Sequence, residues 1–311
     1  MTDSLRRLAV VIGINQYENG IATLRNAVND AQKINLILQE QHGYKTWLLL
    51  DSAENNASDR VATKTKLKEL LTQTLPQEVK ENDCLLFYFA GHGIALEGKY
   101  GPQGYLIPQD ANPGKSSSYL PMTKVHKWLT ALHCRHFIAI LDCCFAGAFS
   151  WSRTRDFATV PEEIYKEHYD RFIKYPAWQV ITSASYDETA LDIDILSLRD
   201  CRGEKGNHSP FAAALIDALK GEADTSPPAK DGKPAGDGVI TATELYLYLR
   251  DRIEPATIKI QKRQTPGLWH LKKHDRGEYI FLLNPKAREN LPEAESLNEL
   301  QNPYQGLESF E

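Results

Sequence analysis

Short, continuously apolar runs recur along this chain, separated by polar residues and glycines. The two clearest runs lie at residues 84–90 (CLLFYFA) and 137–141 (FIAIL). Runs of this length, rich in aromatic and β-branched residues and without polar alternation, are typical of strands that are buried on both faces. The same pattern predicts four more strands, at residues 8–13, 44–50, 178–183 and 279–283.

The segments between these runs favour helices. In residues 27–39 the apolar side chains fall at positions 27, 28, 31, 34, 37 and 38, which share one face of a helix. Further helices are predicted at residues 64–74 (ended by Pro76), 120–132, 211–219 and 241–252, and a hairpin at 94–104. Thr241 and Glu244 have the spacing of a capping box. Strands that alternate with helices predict an α/β fold, with a mostly parallel sheet of about six strands and helices on both faces.

Composition narrows the class of protein without identifying it. The chain has 311 residues, 42% hydrophobic and 25% charged, as in ordinary globular proteins. A net charge of −5 argues against a nucleic-acid-binding surface. Apolar runs of about seven residues are too short for a membrane helix, and the run at 8–14 lacks a signal-peptide cleavage site. Five cysteines in no regular framework indicate free thiols. We therefore expect a cytoplasmic protein with no nucleic-acid or membrane partner.

Two reactive side chains follow the two clearest strands. His92 lies between two glycines just after residues 84–90, and Cys144 lies just after residues 137–141. Ligands of open α/β sheets bind at the carboxyl ends of the strands, so adjacent strands would bring a thiol and an imidazole together. This is the nucleophile and base of a thiol hydrolase. The backbone N–H groups of Gly93 and Cys144 are then the expected oxyanion donors.

Other readings of these residue types stay open at this point. A buried cysteine is usually structural, and we assign that role to Cys84, Cys134 and Cys143. Residues 133–136 (HCRH) could suggest a metal, but their spacing matches no zinc pattern. Residues 237–244 resemble the end of an EF-hand loop, yet Lys233 and Ala235 stand where the first two ligands would be. A turn followed by a capped helix is the favoured interpretation.

Four motifs occur in an order that resembles a known family. They are VIGIN at 11–15, LRNAVNDA at 24–31, YFAGHG at 88–93 and DCCFAG at 142–147. They resemble the caspase-like (clan CD, C14) peptidases, specifically prokaryotic metacaspase-like or orthocaspase proteins. His92 precedes Cys144 by 52 residues, close to the spacing in caspases. The resemblance extends over roughly residues 6–284, which implies a caspase-like fold and a peptidase domain at residues 1–284.

The resemblance implies roles for four residues. His92 would be the base and Cys144 the nucleophile, while Asp30 and Asp142 match the acidic S1 residues of metacaspases, which cleave after Arg or Lys. Two carboxylates at the bottom of a pocket would attract a basic side chain and repel an acidic one. The substrate would thus be a protein or peptide with a basic P1 residue.

This chain also departs from the family pattern. DCCFAG replaces the family's DSCHSG, and Ala90 stands where a serine is often found, which could loosen the S1 pocket or narrow its preference. Many metacaspases bind calcium through a carboxylate cluster. Here only scattered acids are available, such as Asp110, Asp187 and Glu188, so we expect no required metal and no cofactor.

Residues 302–311 (NPYQGLESFE) resemble the opening of a STAND-type NTPase domain, so residues 285–311 are expected to be a linker and the beginning of such a domain. The leading hypothesis is a cysteine endopeptidase, the protease effector of a bacterial signalling or defence protein, that processes itself at polar-loop arginines. The self-cleavage candidates are Arg153, Arg155, Arg199 and Arg202. The alternatives are a catalytically silent caspase-fold scaffold and, as a weaker idea, an amidase.

Overall fold

A six-stranded sheet forms the centre of the protein. The structure is a computed structural model and describes residues 5–51, 61–98, 101–144, 172–184, 208–229, 235–258 and 263–283. Its strands are β1 (Arg7–Gly13), β2 (Lys45–Leu50), β3 (Cys84–Ala90), β4 (Gly93–Gly98), β5 (Gly101–Leu106), β6 (Leu120–Pro121), β7 (His136–Asp142), β8 (Ala177–Thr182), β9 (Val239–Thr241), β10 (Gly267–His270) and β11 (Ile280–Leu282). The helices are α1 (Ala27–Glu40), α2 (Lys64–Glu69), α3 (Leu75–Glu78), α4 (Met122–Thr130), α5 (Pro210–Asp217) and α6 (Ala242–Ile258).

The order of the strands places the two apolar runs next to each other. The main sheet has the order β10-β8-β7-β3-β1-β2, and every neighbouring pair is parallel except β10 with β8. Ala90, the last residue of β3, faces Asp142, the last residue of β7. The predicted α/β class with helices on both faces is confirmed, and the loops after β3 and β7 leave the sheet side by side.

Strand side chains point alternately to the two faces of the sheet, and each face has its own apolar core. Along β1, Val10 and Ile12 pack on the face covered by α2, α3 and α4, whereas Ala9 and Val11 pack on the face of α1, α5 and α6. Every residue of β7 and β8 is buried. Burial on both sides explains why these strands have no polar alternation.

The helix predicted at 64–74 does not end at Pro76. A π-helical turn, Leu70–Thr74, follows α2 and leads into α3, which contains Pro76. In this wider turn the N–H of Leu75 bonds to the carbonyl of Leu70, five residues back. A proline normally clashes with the carbonyl four residues before it, and the π turn opens the helix at that point.

Two predictions about strands need correction. The strand predicted at 279–283 exists as β11, but it pairs with β9 in a separate two-stranded sheet. The sixth strand of the main sheet is β10, which the sequence analysis missed because GLWH has no apolar run. The hairpin predicted at 94–104 is confirmed as β4 and β5, which pair antiparallel. β6 pairs with the other edge of β5 and completes a small three-stranded sheet.

Local capping begins both helices of the second half. Ser209 is the N-cap of α5 and accepts the N–H of Ala212. At the start of α6, the hydroxyl of Thr241 accepts the N–H of Glu244, whose carboxylate accepts the N–H of Thr241. This confirms the capping box.

Several predictions lie outside the described residues. These are the four arginines at 153, 155, 199 and 202, the acids at 187 and 188, Lys233, and the segment 285–311. Among the helices that are described, none is long and apolar enough to cross a membrane.

Candidate active site

The loops that follow β3 and β7 are in direct contact. The N–H of Gly91 bonds to the carbonyl of Asp142 at 3.3 Å. A Cβ atom at Gly93 would overlap the carbonyl oxygen of Cys144 and would lie 3.2 Å from the sulfur of Cys143. The segments that carry His92 and Cys144 are therefore packed backbone to backbone at the carboxyl rim of the sheet, and only glycine fits at position 93.

Two contacts from the loop after β1 orient His92. Its Nε2 lies 2.8 Å from the carbonyl oxygen of Ala22, and its backbone N–H donates to the hydroxyl of Tyr17 at 2.7 Å. Since a carbonyl can only accept, Nε2 carries a proton. In the neutral ring Nδ1 is then the basic nitrogen. The ring of Tyr17 also packs against the imidazole, with 4.9 Å between centroids.

Cys144 is a half-buried thiol at the carboxyl rim of the sheet. Its neighbour Cys143 is 1% exposed and points into the core, and Cys84, which is also half-buried, lies at the amino end of β3. Burial raises the pKa of the Cys143 thiol well above its usual range, and it raises the pKa of Cys84 and Cys134 to about 12. A thiolate is the reactive form of cysteine, so those three thiols are poor nucleophiles at neutral pH.

Asp30 and Asp142 converge on one residue, Ser209. The N–H of Ser209 lies 3.3 Å from Oδ2 of Asp30, and its hydroxyl donates to Oδ2 of Asp142 at 2.7 Å. Nδ1 of His208 lies 2.6 Å from Oδ1 of Asp30. Asp30 lies in the first turn of α1 and Ser209 caps α5, so the positive ends of two helices face the carboxylates.

Burial makes this pair of carboxylates electrostatically costly. Desolvation raises the pKa of Asp30 to about 6, although the hydrogen bonds from His208 and Ser209 oppose the shift. Tyr88, on β3, is fully buried; desolvation and then the charges of Asp142 and Asp30 raise its pKa well above its usual range. Its hydroxyl has no hydrogen-bond partner in the part of the chain that the structure describes.

The sequence analysis missed four residues of this site: Tyr17, Ala22, His208 and Ser209. Ser209-Pro210 carried a recognisable signal, because serine followed by proline is typical of a helix N-terminus. No signal marks Ala22, since any residue can supply a backbone carbonyl. His208 and Tyr17 belong to polar loops whose position on the sheet is set by the fold.

The structure also bears on the metal interpretations. In the described ranges, no three His, Cys, Asp or Glu side chains are placed to hold a metal ion. In the HCRH segment, His136 bonds to the carbonyl of Ile173 at 3.0 Å, and burial lowers its pKa to about 4. Its neutral ring, at the start of β7, thus satisfies the backbone carbonyl of Ile173.

Comparison with solved structures defines the class of fold. Caspase-1 from Spodoptera frugiperda superposes with a TM-score of 0.52 at 12% identity, over 88% of this chain and 90% of the caspase. A protein from Geobacter sulfurreducens gives a TM-score of 0.53 at 15% identity, over 85% of this chain and 92% of that one. The architecture is therefore that of the caspase-like proteins.

The chain belongs to the peptidase C14 caspase domain family, whose model matches residues 6–274. A probable protease from a Desulfuromonadales bacterium is 20% identical over 85% of this chain and 32% of its own length. Metacaspase-6 from Arabidopsis thaliana is 28% identical over 35% of this chain and 30% of its own. Metacaspase-1A from Aspergillus oryzae is 36% identical over 28% of this chain and 20% of its own. The chain thus spans a third or less of the length of these curated relatives.

Proposed function

We propose that this protein is an endopeptidase that cleaves peptide bonds after Arg or Lys, with Cys144 as the nucleophile and His92 as the base. The observation that carries the proposal is the contact between Gly93 and the Cys144 carbonyl, which holds the two loops together at the rim of the sheet. Family membership supports the reaction class, and the glycine-flanked imidazole and half-buried thiol support the assignment of residues.

The hydrogen bonds around His92 support a definite division of labour between its ring nitrogens. The Ala22 carbonyl keeps the proton on Nε2, so Nδ1 takes the thiol proton of Cys144. The thiolate attacks the carbonyl carbon of the substrate, and His92 returns the proton to the leaving amine. Water, deprotonated by His92, then hydrolyses the thioester.

The ladder between β4 and β5 supports Gly93 as an oxyanion donor. Ile107 donates its N–H to the carbonyl of His92 at 3.0 Å, and Gly93 faces Leu106. In an antiparallel ladder this makes Gly93 and Leu106 a pair that exchanges no hydrogen bonds. The Gly93 N–H is thus left out of the ladder. Together with the N–H of Cys144 it would stabilise the oxyanion.

Asp30 and Asp142 form the proposed S1 site for the basic side chain. They reach Ser209 from α1 and β7 and lie on the sheet face next to Tyr88, and Asp142 is the last residue of the strand that leads into the nucleophile loop. Two carboxylates in a desolvated position favour a guanidinium or ammonium and exclude an acidic residue. The residues that depart from the family motif DSCHSG, Cys143, Phe145 and Ala146, remove neither carboxylate.

The decisive experiment uses fluorogenic peptides that end in Arg or in Asp at P1. The wild-type chain should hydrolyse the Arg peptide, and the Cys144→Ala and His92→Ala variants should lose at least about 1,000-fold in kcat. Cys143→Ala is the matched thiol control and should keep most of the activity. Equal turnover by wild type and Cys144→Ala would reject the proposal and favour a catalytically silent caspase-fold scaffold. A preference for Asp would also reject the proposal, because the enzyme would then not be specific for a basic P1 residue.

The remaining parts of the proposal concern segments outside the described residues. Self-processing is proposed at Arg153, Arg155, Arg199 and Arg202. Mass spectrometry of fragments from wild type, but not from Cys144→Ala, would identify the sites used. The resemblance of residues 302–311 supports a STAND-type NTPase domain after the linker and a role as the protease effector of a bacterial cytoplasmic signalling or defence protein.

A further inference from the structure

Asp30, one of the two proposed S1 carboxylates, already has a partner that can carry positive charge. His208 Nδ1 lies 2.6 Å from Oδ1 of Asp30, while the Ser209 N–H approaches Oδ2. The Asp30 side chain is 1% exposed and that of His208 is 16% exposed. A substrate side chain can therefore contact Asp30 only after one of these neighbours has moved.

Of the two neighbours, His208 is the one that can leave without disturbing the fold. Ser209 is buried and bonds to Asp30, Asp142 and the N–H of Ala212, so its displacement would uncap α5. His208 precedes the cap, and rotation about its side-chain bonds is enough to expose it to water. An imidazolium there also faces the positive end of α5, where a cation is disfavoured.

We propose that His208 is a displaceable partner in the S1 site, because it occupies the Asp30 carboxylate until a basic P1 side chain replaces it, and that it thereby weakens the binding of every such side chain. This inference rests on the proposed function of Asp30 and Asp142. Displacement of His208 costs a charge-assisted hydrogen bond, and the incoming group must compensate for it. A fraction of the binding energy is thus spent on opening the site, which raises the apparent KM.

The compensation depends on the geometry of the incoming cation. A guanidinium is planar and has five donors, so it replaces the lost bond with two parallel hydrogen bonds to carboxylate oxygens. A lysine ammonium is a point charge that makes no such bidentate contact, and a neutral side chain makes no charged contact at all. These differences between Arg and Lys exist with or without His208, and the cost of displacing His208 is the same for both. His208 therefore weakens the binding of Arg and Lys by the same factor.

The first test compares Arg and Lys peptides on wild type and His208→Ala at pH 8. The variant should lower KM about threefold for both peptides, so that the Arg-to-Lys preference is kept while kcat changes less than KM. His208→Asn, which keeps a neutral donor near Asp30, should fall between the two proteins. The matched control is His133→Ala. His133 is exposed and lies just before the amino end of β7, at the edge of the sheet away from the S1 site.

The second test observes the displacement itself. Benzamidine is added to histidine-labelled Cys144→Ala protein, and the imidazole signals are followed by NMR, with the His208 signal assigned from its loss in a His208→Ala background. Benzamidine should shift the His208 signal and bind more tightly when His208 is alanine. A bound benzamidine that leaves the His208 signal in place would overturn the inference.

The outcomes separate this inference from the proposed function. If wild type does not cleave basic peptides, or Cys144→Ala cleaves them equally well, the proposed function fails. If wild type cleaves them but His208→Ala leaves both KM values unchanged, or raises them, only the role of His208 is wrong.

Discussion

Gly93 and Cys144 are packed so closely that a single methyl group at position 93 would overlap the carbonyl oxygen of residue 144. The contact joins two loops that are far apart in sequence, because their parent strands β3 and β7 are neighbours in the sheet. It sets the spacing between the imidazole loop and the thiol loop. A change at this contact therefore tests the geometry of the site without removing a reactive group.

Gly93→Ala should lower kcat about 100-fold, because a displacement of about 1 Å between reacting groups has an effect of this size. The measurement is the turnover of an Arg peptide by protein whose folding has been checked by circular dichroism. Gly114→Ala is the control, since its φ of +73° strains an alanine but no atom lies near the added methyl group. That variant should lose stability and keep its specific activity. Full activity of folded Gly93→Ala would contradict the proposed geometry.

Alkylation should distinguish the thiols. At pH 7.5, iodoacetamide should label Cys144 at least about ten times faster than Cys84, Cys134 or Cys143, because burial raises the pKa of these three thiols. Peptide mass spectrometry over a time course gives the rates, and Cys201, outside the described residues, is followed separately. Faster labelling of Cys143 than of Cys144 would show that the assignment of the two neighbours is reversed.

Binding of a basic P1 side chain should depend on the ionisation of Asp30. Its pKa is raised to about 6, so the carboxyl group is neutral below this pH and charged above it. KM for an Arg peptide should therefore fall as pH rises through about 6. The control is Asp30→Asn, in which the neighbouring residues His208, Ser209 and Tyr88 are unchanged. Its KM should be higher at pH 8 and should change less between pH 5 and 8. If KM changes with pH to the same extent in wild type and in Asp30→Asn, the effect comes from another group.

Tyr88→Phe should raise stability by about 1 kcal/mol, because it removes a buried hydroxyl that has no partner among the described residues. Chemical denaturation at pH 8 measures the free energy of unfolding. The control is Tyr279→Phe. The hydroxyl of Tyr279 forms a hydrogen bond with that of Tyr44 at 2.9 Å, so its removal should destabilise the protein. A destabilised Tyr88→Phe would mean that the hydroxyl has a partner in the folded protein.

Much of the architecture could be predicted because burial leaves a local trace. β1, β3, β7 and β8 are almost entirely buried, and the predicted runs at 84–90 and 137–141 match β3 and β7 closely. β10 was missed because GLWH is short and half-buried, with no periodic pattern. The strand at 279–283 was found but its sheet was not, since pairing with β9 is a contact between distant segments.

By itself the sequence determined which segments become buried strands and which two reactive side chains follow them, because side-chain polarity and flanking glycines act within a few residues. Only the tertiary structure decided what surrounds those side chains. The Ala22 carbonyl lies 70 positions from His92, and His208 lies 178 positions from the carboxylate of Asp30. Such contacts depend on how whole helices and loops pack on the sheet. No local residue pattern predicts which backbone carbonyl or which loop histidine will contact the site.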